Sequence, residues 1–413
     1  MSNAEPAWME DIRGRAREQF ESLPWPTTSQ EEWRRTDLAP YDLGSYGSSG
    51  PKPDACYGES EPAGVAGQLR FEAGGCVDSA LASALRERGV RLLSLGAAVE
   101  SLETPLKGLF EESLGKIDDR FAAWQLAEWQ TGAFLYVPDG VEVAEPFLIE
   151  LEAAGTGLAA PRIVVILGTG ARATVVERIV GTDTGRDGIL CNAALDLHLG
   201  DASNLLYCEA QELDAKSLYF RRAWAELGRD TTLRHFTAQL GGRLVKTKID
   251  CALAGQGSDA RLDGAYFCSG GQHVDIRTVQ RHLSPKGTSR ANYRGAIDSG
   301  GNAVFQGLIE VGEGASGTDA YLASKSLILG DGARADSLPT LKIGNNDVRC
   351  SHGSTTGRLS DEELFYLESR GFSPEDAREM LVIGYFEDLL GSTPTSYGAP
   401  ALERIRHRLH RAA

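Results

Sequence analysis

The sequence predicts an all-β core with helical flanks, the core being a solenoid of the β-helix kind. Between Ala133 and residue 346, short runs rich in Val, Ile, Leu, Thr and aromatics follow one another, separated by Gly, Asp or Asn. Helical periodicity is nearly absent across that stretch, which excludes a doubly wound sheet, where each parallel pair needs a crossover of about a dozen residues or more. Glycine contributes 48 of 413 residues, well above the usual roughly 7%, and most of it stands between strand-like runs rather than in linkers. A large sandwich or barrel, or a propeller, would share this texture. The stacked rungs of a β-helix suit it best, although the repeats are ragged and carry no hexapeptide signature.

Three regions follow: a mainly helical 1–132, a β core over 133–346, and a helical 347–413. Trp8, Ile12 and Phe20 supply sparse apolar positions of a first helix, which Pro24 and Pro26 stop. Ser29 and Glu32 have the spacing of a capping box for a short second helix. Residues 42–67 read as a loop with one short edge strand. Helices are expected over 78–88, 101–112 and 118–131, the last carrying Phe121, Trp124, Leu126 and Trp129.

Strands then run from Phe134–Val137 to Leu341–Ile343. Leu195, Leu197 and Leu199 alternate with Asp196 and His198, which points the leucines inward and the polar pair outward. At the C-terminal side, Ser360 with Glu363 forms a capping box leading into Leu364–Leu367. Ser373 followed by Pro374 starts another helix, and Gly371 suits the positive-φ end between them. A Gly/Ser/Thr/Pro linker over 391–400 precedes a basic amphipathic helix over 401–411.

The net charge of −16, from 58 acidic and 42 basic residues, disfavours a nonspecific grip on nucleic-acid phosphates. The N-terminus lacks the basic and apolar segments of a secretory signal, and no run approaches the about 18 apolar residues of a spanning helix. A cytoplasmic chain with no membrane or nucleic-acid partner is expected. There is no Walker A loop, Cys-x-x-Cys pair, His-Glu-x-x-His helix or Gly-x-Ser-x-Gly elbow, so a non-catalytic role is expected.

The seven cysteines are scattered, and their odd number argues against a closed disulfide framework. Cys191 and Cys208, like Cys251 and Cys268, stand 17 residues apart. Each pair either packs as small apolar residues or shares a soft metal on neighbouring strands; packing is the stronger reading. Cys350 and His352 are two apart in what reads as an extended segment, so both face one way and could meet one metal or one partner. The plainer alternative is a turn with a buried thiol and a satisfied imidazole. A carbohydrate-active β-helix enzyme would need paired acids on an exposed rung; Asp196, Glu209, Asp250 and Asp275 are the candidates, although such acids are more often turn or solvent-face residues.

The stretch Asp347-Val-Arg-Cys-Ser-His-Gly-Ser-Thr-Thr-Gly-Arg-Leu-Ser-Asp-Glu-Glu-Leu-Phe-Tyr-Leu-Glu-Ser-Arg-Gly-Phe372 closely resembles the C-terminal part of the SufB/SufD family of iron-sulfur cluster assembly proteins. Glu31-Glu-Trp-Arg-Arg-Thr-Asp-Leu38 resembles the family's N-terminal signature. The resemblance implies a right-handed parallel β-helix between helical domains. It also implies pairing with a SufB-type subunit and binding of a SufC-type ATPase through the C-terminal region, where Leu364, Phe365, Leu367, Met380 and Phe386 are the candidate contacts. Sulfur would come from a cysteine desulfurase system.

Cys350-Ser-His-Gly353 resembles the SufD form, and His352 matches the family histidine implicated in cluster assembly at the subunit interface. Gly353 stands where SufB has a glutamate. A SufB chain carries a cysteine before Asp-Ser-Leu; around 323–330 this chain has Ser324 and Lys325 instead. The resemblance thus implies a scaffold that stably holds no cofactor alone, with His352, beside Cys350, ligating a transient cluster only in the complex. A SufB-like homodimeric scaffold is the other form the family allows.

Overall fold

Two sheets wound from consecutive strands make the core, in a computed structural model that describes residues 5–47, 56, 60–72, 74–153, 157–181, 188–391, 393 and 395–412. The N-terminal region contributes α1 (Ala7–Ser22), β1 (Gly67–Glu72), β2 (Gly75–Leu81), α2 (Ser83–Glu87), β3 (Arg91–Ser94), α3 (Leu95–Ser101), α4 (Glu103–Gly115) and α5 (Arg120–Glu128). The winding proper is β4 (Gly132–Val137), β5 (Phe147–Ala153), β6 (Gly157–Ala159), β7 (Arg162–Leu167), β8 (Arg172–Gly181), β9 (Ile189–Leu199), β10 (Asn204–Glu212), β11 (Leu218–Leu227) and β12 (Thr232–Gln239). It continues as β13 (Leu244–Leu253), β14 (Asp259–Cys268), β15 (His273–His282), β16 (Thr288–Ile297), β17 (Asn302–Val311), β18 (Thr318–Ile328), β19 (Arg334–Ile343) and β20 (Val348–Arg358). Helices α6 (Asp361–Ser369), α7 (Pro374–Leu390) and α8 (Thr395–Ala412) follow.

From β8 onward, even-numbered strands build one sheet and odd-numbered strands the other. The first runs β2-β1-β5-β8-β10-β12-β14-β16-β18-β20; the second runs β19-β17-β15-β13-β11-β9-β7-β4-β3, with β6 beside β9. Leu218 lies beside Leu244 and Asn302 beside Arg334, so one turn takes between 26 and 32 residues. This is the expected solenoid, with parallel ladders from β4 and β5 onward and antiparallel pairing only where β2 and β3 close its beginning. The raggedness of the repeat is absorbed in the turns, which lets ladders stay in register.

Side chains of one parity fill the interior. On β10, Leu205 and Tyr207 join the lumen while Leu206, Cys208 and Ala210 meet helices outside. Lumen glycines make room for rings: a Cβ on Gly295 would lie 1.9 Å from the Tyr266 ring, and one on Gly264 2.2 Å from that of Tyr293. Part of the glycine excess is therefore packing space rather than turn chemistry.

Inside this apolar column lies a charged knot. Arg221 donates to both oxygens of Glu177 at 2.6 and 2.7 Å and stands 2.9 Å from Glu209. Tyr207 Oη donates to Glu177 at 2.5 Å, and Thr237 Oγ1 to Glu209 at 2.7 Å. All five side chains are buried.

The outer face of the second sheet carries the N-terminal region. Trp33 stacks on Phe121, with centroids 5.4 Å apart, and Phe121 on Phe220 at 3.9 Å. Lys246 Nζ donates to the Glu32 carbonyl and pairs with Asp275, both at 2.6 Å, while Thr36 Oγ1 donates to Asp275 at 2.5 Å. The segment 31–38 is thus the piece that seats this region on the solenoid. The outer face of the first sheet carries α7 and α8 through Val382, Phe386, Leu389, Tyr397, Ile405 and Leu409.

Several expected boundaries change. The helix expected over 78–88 gives way to β2 and short α2, because Asp78 and Ala80 pair with Arg70 and Gln68 of β1. Ser29 caps no helix; its hydroxyl bonds that of Thr27 at 2.7 Å, and a 3-10 turn begins at Glu31. The region 1–132 therefore mixes helices with strands. The last strand runs to Arg358, so helices begin at Asp361 rather than at 347, and α8 starts within the expected linker. Residues 48–55 and 57–59 of the expected loop, and 392 and 394 of the linker, lie outside the described residues. Cys56 and Cys76 form a disulfide that the sequence reading did not foresee. The caps at Ser360 and Ser373, Pro374 at the helix start and the positive φ of Gly371 all occur as expected. No helix among the described residues is long and apolar enough to cross a membrane.

Replacing Arg221 by Met strands two buried carboxylates and should lower stability by about 3–5 kcal/mol in denaturant unfolding. Burial would raise the pKa of Glu209, but Arg221, His235 and Thr237 more than offset this and hold it at about 2. A carboxylate depressed in the folded state stabilises above its unfolded value, roughly 4.3, and loses that contribution as pH falls. The melting temperature of the wild type should therefore drop more steeply than that of Glu209→Gln between about pH 4.5 and pH 2.

Candidate functional site

The last turn of the solenoid is the candidate site. β20 pairs only with β18 and β19 only with β17, so each leaves one edge without a strand among the described residues. Both strands lack any fully buried side chain, in contrast to those beneath them. Such an edge offers a row of backbone donors and acceptors to an incoming chain.

β20 places the two predicted residues by register. Cys350 lies over Ala320 and His352 over Leu322, and both of those underlying residues line the lumen. Residues two apart share a side, so Cys350 and His352 both stand above the interior column, as the spacing implied. Their environments differ. Cys350 is half-buried against the core, and burial pushes its thiol pKa up. His352 is exposed at the mouth. Below and beside it, Ser324 on β18 and Ser337 on β19 keep buried hydroxyls without a hydrogen-bond partner among the described residues. The open end is thus a polar mouth on an apolar shaft.

Ser324 and Lys325, where the family resemblance set the SufB-type cysteine, lie on β18. The Asp336-Ser337-Leu338 triplet lies instead on β19, preceded by Ala335. No thiol stands there either. Among the described residues, neither His352 nor Cys350 belongs to a group of three potential metal ligands, so His352 cannot complete a coordination sphere from those residues alone.

The other thiols are packed. Cys191, Cys251 and Cys268 face the lumen, whereas Cys208 faces α7 and α8 from the opposite side of its sheet. Cys191 and Cys208 therefore do not converge. Burial pushes Cys191, Cys208 and Cys268 up to about 12 and raises Cys251 further. Nor do the acids proposed for carbohydrate chemistry offer a free pair. Glu209 is inside the lumen; Asp196 pairs with Arg162 at 2.6 Å, Asp250 with Arg281 at 2.8 Å and Asp275 with Lys246.

Directly after β20 in the chain, α6 has no buried residue. Phe365 is 73% exposed, with Leu364 and Leu367 half-buried. Met380 is exposed on α7, and Tyr366 and Phe372 join the same exposed set. The sequence reading missed Tyr366 and Phe372. Phe386 corrects it in the other direction: it is fully buried against the first sheet and belongs to the core.

Residues 149–385 match the family model for the SUF system FeS cluster assembly SufBD core domain. The chain belongs to the SufBD family. It is 31% identical over 300 residues to an iron-sulfur cluster assembly SufBD family protein of Mycobacterium tuberculosis, covering 70% of this chain and 72% of that one. Over 429 residues, 98% of this chain, it is 25% identical to a SufBD family protein of Staphylococcus epidermidis and to the iron-sulfur cluster assembly protein SufB of Bacillus subtilis; each alignment covers 90% of the relative. In this SufBD chain the matched core begins within β5 and ends within α7.

Burial and raised pKa predict that a thiol-reactive dye at neutral pH leaves Cys191, Cys208, Cys251 and Cys268 unlabelled in the native chain and reacts with all four once denaturant unfolds it. Mass mapping of labelled peptides checks this.

Proposed function

We propose that this scaffold of the SUF iron-sulfur cluster assembly system is a SufD-type subunit. Its terminal turn pairs with a SufB-type chain, and His352 is lent to a cluster assembled at that junction. The carrying observation is the unpaired last turn with an exposed imidazole at its mouth that joins no group of three potential ligands among the described residues. A partner strand along β19 or β20 would satisfy the free edge and bring the missing donors beside His352. Neutral imidazole ligates iron through a ring nitrogen and also carries a proton near neutral pH. The iron and sulfide are cargo, the sulfur supplied by a cysteine desulfurase system, and no cluster is held by the isolated chain. The setting is the cytoplasm.

The exposed Phe365 and Tyr366 of α6, with Phe372 after it and Met380 of α7, are proposed as the seat of a SufC-type ATPase, an apolar helix surface entering a groove. Cutting the chain after Gly353 would be a poor test, since it removes half of β20 and the helices that cover the first sheet. Point substitutions separate the roles. Phe365→Asp with Tyr366→Asp should abolish ATPase co-purification and leave the melting temperature unchanged. Phe386→Ala should instead cost about 3–5 kcal/mol of stability as a buried large-to-small change.

For His352, purified wild-type and His352→Ala complexes with SufB-type and SufC-type partners are reconstituted anaerobically with iron and a sulfur donor. Cluster absorbance should fall sharply in the variant while complex mass and ATP hydrolysis persist. A normal yield would make His352 a structural residue. Size-exclusion mass of this chain with and without the SufB-type partner separates the heteromeric reading from a homodimeric scaffold.

A further inference from the structure

A second group of ligating side chains lies far along the winding from the open end, where α4 crosses the second sheet. His198 and Glu226 are direct cross-strand neighbours on β9 and β11. Leu197, Leu199, Ala225 and Leu227 take the inward parity, so this pair stands on the outer face, and α4 brings Glu112 to it. A ring nitrogen of His198 and one oxygen of each carboxylate lie within 4.8 Å of one another.

We propose that Glu112, His198 and Glu226 bind a first-row divalent metal ion such as Zn²⁺ or Fe²⁺, clamping α4 to the solenoid. The spacing supports an ion rather than a direct bridge. No carboxylate approaches the imidazole as an ion-pair partner and His198 has no hydrogen-bond partner among the described residues, while donors within 4.8 Å of one another need only small side-chain rotations to close on an ion at roughly 2.0–2.2 Å. One imidazole with two carboxylates is a borderline donor set that suits zinc or ferrous iron, whereas calcium and magnesium prefer oxygen alone. Three protein donors leave coordination open for water.

The frame around the group is built. Leu106, Phe110 and Leu114 bury the inner side of α4, which fixes the position of Glu112. Asp196, two residues before His198, is engaged by Arg162 and stays out of the set. Lys116 pairs with Glu112 but also lies 3.5 Å above the Trp224 ring. It therefore keeps an aromatic partner when a cation claims the carboxylate.

The test uses the chelator-stripped full-length chain titrated with Co²⁺, read by its visible d–d absorption, and then with Zn²⁺ in competition. One equivalent should bind, raise the melting temperature and be displaced by Zn²⁺. His198→Gln, Glu226→Gln and Glu112→Gln, on three different elements, should each weaken binding at least about tenfold. The double variant Cys350→Ser/His352→Ala should bind like the wild type, which separates this site from the mouth. Failure of the wild-type chain to take up one equivalent, or uptake that the three glutamine variants leave unchanged, overturns the proposal.

Discussion

Everything in this molecule depends on one property of a parallel winding: each turn is completed by the next. A strand's backbone groups bond to the same strand one turn later, and its inward side chains pack on the equivalent side chains above. The last turn has no successor. At the other end the chain solves this internally, since β2 and β3 run antiparallel and close the two sheets. The helices α1, α3, α4 and α5 then pack beside that closure through Phe134 and Val164. The C-terminal end has no such device among the described residues, and α6 with its exposed aromatic side chains follows it directly in the chain. The asymmetry of the two ends concentrates binding capacity at one of them.

The charged knot of Arg221, Glu177 and Glu209 shows the same property from within. Its members come from β11, β8 and β10, three strands on two sheets. Only one register brings them together, because a slip by one residue would turn each side chain outward. The ion pairs are therefore a condition on correct winding as well as a consequence of it. The N-terminal segment adds a second lock of this kind, with Lys246 of β13 and Asp275 of β15 both engaged by residues 32 and 36.

The sequence made the solenoid legible through strand density and the absence of helices, and it made the ends of α6 and α7 legible through Ser360, Ser373 and Pro374. These signals are local. Parity was harder to read, because both faces of each sheet are covered: on β10 every residue from Tyr207 to Gln211 is buried, so alternation leaves no polar trace there. The knot was hidden for that reason, although Glu209 had drawn notice as a candidate acid. The strand at 75–81 was misread since its pairing is tertiary, and the Cys56–Cys76 bridge since two distant cysteines carry no register. At the mouth, Cys350 and His352 were found, while Tyr366 and Phe372 were missed because an exposed aromatic in a helix has the same sequence appearance as a buried one. Phe386 is the converse case.

The difference between Cys350 and His352 bears on how a scaffold could release what it builds. A thiolate held against the core would bind a metal tightly, yet burial raises the pKa of this thiol and packs it against the core. The imidazole beside it is exposed and joins no group of three potential ligands among the described residues. A site completed only across a junction ties cluster affinity to subunit pairing: whatever strengthens the pairing strengthens the site, and a bound cluster strengthens the pairing by the same factor. An ATPase seated on α6, directly after β20 in the chain, would act on that coupling by shifting the last turn against its partner. On the proposed reading, incomplete coordination in one chain would be the condition that allows a cluster to be made in one arrangement and surrendered in another.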